Sequence, residues 1–141
     1  FKNNYLCSME FNLRYVATCD YTDILCKWWE DWGWTPPPLD MLPDTGFILS
    51  NQFEEDICAG FLYKTDSKVC WLEYIVSDKK YKRDDRSRAI TSIIDYLSKK
   101  AKEEDFKYIY TSLKNKPLIK KYESCGFIKG DESCLEMVKI L

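Results

Sequence analysis

Residues Trp71–Ile94 read WLEYIVSDKKYKRDDRSRAITSII. An apolar strand runs into a loop crowded with lysine and arginine, and a helix opens directly after it. A strand feeding a helix N-terminus is a ready anion site. The free N–H groups of the first helical turn point outward, and the helix dipole favours negative charge there. Two features complicate that reading. No glycine lies between Gly60 and Gly126, and Asp84 and Asp85 stand where anion oxygens are expected. Either aspartate is also able to cap the helix, which is expected to run from about Arg86 to Glu104 with Ile90, Ile93, Ile94, Leu97 and Ala101 facing inward.

Working outward, Lys68–Ser77 and Ile57–Thr65 read as an antiparallel hairpin turning at Asp66–Ser67. Gly46–Ser50 is a shorter strand before them. Tyr108–Ser112 follows the helix, so the unit 68–112 requires parallel pairing through a right-handed crossover. Upstream, Glu10–Ala17 alternates as a strand, with Phe11, Leu13 and Tyr15 on one face. Asp20–Trp32 has helical spacing of Ile24, Leu25, Trp28, Trp29 and Trp32, ended by Gly33. Pro36, Pro37, Pro38 and Pro43 then exclude a regular helix, leaving at most a short turn near Leu39–Leu42. Lys116–Ser124 is a short helix with Pro117 in its first turn. Phe127–Gly130 and Leu135–Ile140 read as two closing strands. The expected class is α/β, in the mixed α+β sense: a sheet of six to seven strands with helices on both faces.

The chain has 141 residues, which fits one domain with one core. Met9 followed by EFNLRYV reads as a natural start, so residues 1–8 are expected to be a leader or upstream extension of a domain at 9–141. A net charge of −2 carries no global signature for nucleic acid. No apolar run approaches a membrane span, and Phe1–Ser8 is too polar for a signal peptide. Seven cysteines without a CxxC pair read as free thiols in a reducing, cytoplasmic setting. The absence of histidine removes Ser-His and Cys-His nucleophiles and most zinc sites, and no metal is expected.

The most specific motif is Asn115-Lys-Pro-Leu-Ile-Lys-Lys-Tyr122-Glu-Ser-Cys-Gly126-Phe127. It resembles the N-x-x-A-I-x-x-Y-E-x-x-G-F motif of the GCN5-related N-acetyltransferases, and the element order is similar to that fold from about Met9 to Leu141. The WW-x-x-WGW stretch and the LP-x-x-G after it also resemble phage-type members. The resemblance implies that acetyl-CoA wedges between the strands at 68–77 and 108–112. The pantetheine arm would pair with backbone near Ile75 and Val76, with Asn115 also at the cofactor. The pyrophosphate would lie on the loop and helix start at 82–88. Tyr122 would protonate the departing thiolate of coenzyme A.

The chemistry is consistent with that assignment. Thioester aminolysis needs a neutral amine, a donor to the oxyanion and a proton for sulfur, and a tyrosine hydroxyl is protonated at pH 7. Glu73 shares a strand face with Val69, Trp71 and Ile75, and a desolvated carboxylate there makes a base. In the phosphate loop the family pattern Arg/Gln-x-x-Gly-x-Gly/Ala falls on Lys82, Asp85 and Ser87. Lys82 keeps the charge and Ser87 is small, while Asp85 obstructs and repels. Lys79, Lys80, Arg83, Arg86 and Arg88 add compensating cations. Trp29 and Trp34 are expected to wall the acceptor site, with Trp28 and Trp32 in the core. The reading is an N-acetyltransferase acting on a primary amine of a small molecule or peptide, with a homodimer allowed by the fold. The alternative is a catalytically weak or inactive binding module for a protein partner on the same fold.

Overall fold

Strand β1 (Asn12–Tyr15) opens a sheet of β2 (Gly46–Ser50), β3 (Asp56–Lys64), β4 (Val69–Ser77) and β5 (Tyr108–Tyr110), in the spatial order β1-β2-β3-β4-β5. The computed structural model describes residues 10–141; the expected start at Met9 and the segment before it lie outside the described residues. The first four strands are antiparallel neighbours, and β4 and β5 pair parallel. Helix α2 (Arg83–Glu103) makes the crossover between them, and α3 (Lys116–Ser124) follows β5. The other helical run, α1, joins Thr18–Asp20, a wider π turn at Tyr21–Leu25 and Cys26–Asp31.

Two apolar layers hold the sheet. On one face Ala89, Ile93, Ile94, Leu97 and Ala101 of α2 pack with Tyr122 of α3 against Leu62, Cys70 and Leu72. On the other, Leu25, Trp28 and Trp29 of α1 cover Ile48, Ala59, Phe61 and Val76. The start of α1 is tied to β1 by Arg14, whose guanidinium spans Asp20 at 2.7 Å and Asp56 at 3.2 Å. Beyond α1, the proline-rich segment runs as a surface strap. Tyr21 Oη donates to Pro37 O at 2.8 Å and Tyr63 Oη to Met41 O at 2.7 Å, and a single 3-10 turn occupies Leu39–Met41.

Three expectations change. Helix α2 begins at Arg83, with Lys82 as its N-cap, so neither Asp84 nor Asp85 caps it; both lie in the first turn. Strand β5 is shorter than expected because Thr111 and Ser112 turn their hydrogen bonds to other partners. The sheet also stops at β5. No strand forms at 127–130 or 135–140 among the described residues, and Ile128, Leu135, Val138 and Ile140 are exposed. Asp131 makes the turn between those limbs by accepting from Ser133 N and Oγ, each at 2.9 Å. Apolar alternation marks a stretch that is able to pair, but a strand exists only where an edge receives it. The six cysteines among the described residues are free, with Cys58 and Cys70 buried. Among the described residues no helix is long and apolar enough to cross a membrane.

Candidate active site

The parallel ladder between β4 and β5 ends early. Its last partners are Trp71 and Tyr110, while β4 continues to Ser77 with β3 on one side and, among the described residues, no strand on the other. Two polar contacts replace the ladder. Thr111 Oγ1 donates to Leu72 O at 2.6 Å, and Ser112 N donates to Glu73 Oε2 at 3.0 Å. A gap flanked by β4 backbone therefore opens at the carboxyl ends of two parallel strands, where α/β sheets place their ligands.

A bulge shapes this gap. In the β3–β4 pairing Ala59 faces Val76 and Phe61 faces Glu73, so Gly60 opposes both Tyr74 and Ile75. Tyr74 takes φ +58°, a left-handed conformation that bulky residues avoid. As a result two consecutive side chains, Glu73 and Tyr74, lie on the α1 side of the sheet. Ile75 then joins the α2 layer and Val76 the α1 layer. A side chain at Gly60 would meet Leu97 at 3.2 Å and Ile75 at 3.3 Å, so the bulge also needs that glycine.

Glu73 and Tyr122 flank this gap from opposite faces, Glu73 against Ser112 and Tyr122 against Thr111. Burial raises the Glu73 carboxyl to about 7; the Ser112 amide opposes the rise, and Glu136 from the C-terminal segment adds to it. Tyr122 is 2% exposed. Burial pushes its hydroxyl well above the usual tyrosine range, against a side-chain contact with Thr111, and the charge of Glu73 reaches it. Phe127 packs on the Tyr122 ring edge-on, with centroids 4.9 Å apart. Here one side of the gap carries a carboxyl that titrates near neutrality and the other a phenol that stays protonated, the two kinds of group an acid–base reaction uses.

At the loop, Asp85 turns sideways to accept from Arg88 Nη2 at 2.6 Å. The first turn of α2 carries no side-chain cap, and its first intrahelical bond is Arg86 N to Lys82 O at 3.0 Å. The preceding N–H groups are thus left facing outward. The cations divide. Lys79 and Arg86 clasp the Trp32 ring at 5.1 and 5.2 Å, and Arg86 also donates to Tyr81 O. Lys80 pairs with Asp78 at 3.6 Å. Lys82 and Arg83 have no acidic partner among the described residues. Lys121 on α3 joins them: burial lowers its ammonium, and Arg83 and Arg86 press it down further. Ser87 is half-buried in the same turn. Free amides with three convergent cations fit a diphosphate.

The remaining candidates stand elsewhere. Ile75 and Val76 are buried by their side chains, leaving only backbone to the gap. Asn115 is the N-cap of α3, its Oδ1 accepting from Leu118 N at 3.0 Å. Trp29 is not an open wall: it is 3% exposed and contacts Phe61 and Tyr74. The reason is that Trp28 and Trp29 both fall on the inward stripe of α1 after its wider turn. Trp34 is 42% exposed and stacks on Trp32. A cavity of about 350 Å³ near the end of β4 is lined by the acids Asp23, Asp31, Glu55, Asp56 and Asp78 against two lysines, Lys27 and Lys80, so its net charge is negative. The sequence reading missed Lys121, Thr111, Ser112 and the Tyr74 bulge. For Thr111 and Ser112 the available signal was a polar pair ending an apolar parallel strand.

No family model matches the chain, and no curated protein matches it in sequence. Solved structures match it through the fold. A probable acetyltransferase superposes with a TM-score of 0.66 at 17% identity, covering 94% of this chain and 99% of that one. The ribosomal-protein-S18-alanine N-acetyltransferase of Escherichia coli does so at 0.66 and 14%, covering 86% and 80%. The glucosamine-6-phosphate N-acetyltransferase of Arabidopsis thaliana gives 0.62 and 12%, covering 93% and 98%. The chain has the fold of the GCN5-related N-acetyltransferases.

Proposed function

We propose that this chain is an acetyl-CoA-dependent N-acetyltransferase that acts on a primary amine. The observation that carries the reading is the gap after Trp71 and Tyr110, with Glu73 and Tyr122 converging on it beside Thr111 and Ser112. Acetyl-CoA, when bound, supplies an activated acetyl group as its thioester. Lys82, Arg83, Lys121 and the first-turn amides of α2 would hold its diphosphate, and Asp85, already paired with Arg88, leaves those amides free. Glu73 takes a proton from the incoming ammonium, directly or through water, and its carboxyl near 7 suits that task. The freed amine attacks the thioester carbonyl while β4 backbone N–H groups beside the gap polarise the oxygen. The N–C bond would form and the C–S bond break, Tyr122 giving its proton to the sulfur; the second proton, shed by the nitrogen as it becomes an amide, would return to the phenolate.

Two measurements test this. Acetyl-CoA at 100 times its dissociation constant should stabilise the chain by about 2.7 kcal/mol in a thermal melt; no shift at millimolar concentration would defeat the proposal. Tyr122→Phe should lower kcat by about 10²-fold or more while leaving acetyl-CoA affinity intact. Loss of both together would make Tyr122 a packing residue alone.

A further inference from the structure

The strand register gathers aromatic side chains on the sheet face away from α2 and α3. Tyr63, Trp71 and Tyr110 are successive partners across β3, β4 and β5. Tyr108 points the same way two residues earlier. The Trp71 and Tyr110 rings lie 5.2 Å apart. Tyr74, moved onto this face by the bulge, stands 6.3 Å from Tyr63. Helix α1 covers the neighbouring part of the face and leaves this part open, with Tyr108 61% and Tyr110 55% exposed.

Glu73 lies among these rings, and its surroundings are negative. The charge that presses on it comes from Glu136, which acts on Tyr74 as well. No ion pair among the described residues involves Glu73 or Glu136. The two sides of the gap therefore differ in sign. Lys82, Arg83 and Lys121 serve the helix side, while ring faces and carboxylates serve the sheet side. Ring faces attract ammonium groups and bury apolar bodies. A phosphate or carboxylate on the acceptor would meet the Glu73 carboxylate, which no cation pairs among the described residues.

We propose that this open aromatic face seats the acceptor, and that the acceptor is a primary amine carried on an aromatic or alkyl body free of anionic groups. The seat rests on the acetyl-transfer reading for its chemistry but not for its binding, so the two are separable. Calorimetry on the full chain at pH 8 would compare phenethylamine with glucosamine 6-phosphate, and a melt with acetyl-CoA would run in parallel. Phenethylamine is expected to bind at least tenfold more tightly. Trp71→Ala should weaken it at least fivefold while leaving the acetyl-CoA melting shift unchanged. If that variant fails to fold, Tyr110→Ala, at a more exposed strand position, carries the same test. Equal or tighter binding of the phosphorylated amine, or indifference to both substitutions, would overturn the seat. An acetyl-CoA shift without phenethylamine binding defeats the seat alone; phenethylamine binding without an acetyl-CoA shift supports the seat and defeats the acetyl-transfer reading.

Discussion

Replacing Glu73 with glutamine is expected to remove a pH dependence from folding and from turnover together. The carboxyl stands at about 7 in the folded chain against an ordinary 4.5. The folded state therefore holds this proton more tightly than the unfolded state does. Stability is greatest below the unfolded value, falls as pH rises from about 4.5 to about 7, and is level above. At face value the shift corresponds to about 3 kcal/mol, and partial exposure of Glu73 screens that to about 1–2 kcal/mol. Glutamine keeps an oxygen for Ser112 N and carries no charge to desolvate. Urea unfolding at pH 5 and pH 8 reads the effect: the variant should gain about 1–2 kcal/mol over the natural chain at pH 8 and little at pH 5. Asp20 and Glu104, whose carboxyls are held low by Arg14 and by Lys64 after opposing burial, lose their contribution only as pH falls. They are common to both proteins and cancel in the difference. In the same variant, acetyl transfer should drop by about 10²-fold or more, and the acid limb of kcat/KM near pH 7 should vanish. Equal pH slopes of stability in the two proteins would refute the buried-carboxyl argument.

Lys121→Ala should weaken acetyl-CoA binding by about tenfold and flatten its salt dependence, because a charge-assisted contact contributes about 1.5–3 kcal/mol; calorimetry at two ionic strengths checks it. Asp85→Asn should tighten acetyl-CoA by about fivefold, since about 1 kcal/mol of exposed repulsion is removed and Arg88 is released; weaker binding would show that the aspartate organises the loop. Trp29→Ala should cost about 3–5 kcal/mol of unfolding free energy at a buried position. A change confined to acceptor affinity would instead place Trp29 in the binding wall.

The legible parts of this chain were those written in local pattern. Strand spans at 46–50 and 69–77, the helix at 116–124 and the parallel crossover all follow from alternation, helical spacing and punctuation by glycine and proline. The Asn115–Phe127 motif led to the fold. Aspartates at 84 and 85 misled, because a good capping residue is equally at home in a first turn, where the dipole favours it. The C-terminal limbs misled for a different reason. Their alternation is real, yet pairing depends on a partner edge, which no stretch of sequence contains. Trp29 was expected to wall the acceptor site, yet it stands four residues after Leu25 on the same helix face and is buried with it.

The bulge at Tyr74 is the least legible feature and the one on which the site depends most. Nothing about a tyrosine signals a left-handed backbone, and that conformation costs about 1–2 kcal/mol. It persists because its surroundings fix it. Gly60 gives the space opposite, Trp29 and Tyr63 hold the ring, and Ile75 is drawn into the α2 layer. An uninterrupted β4 would place Tyr74 on the α2 side and reverse Ile75 and Val76 beyond it. With the bulge, Glu73 and Tyr74 face the open aromatic side together while Ile75 turns back to the core. The strain is thus spent on bringing a half-buried carboxylate and an aromatic ring to the same edge of the gap, and Tyr122 reaches that edge from the opposite face.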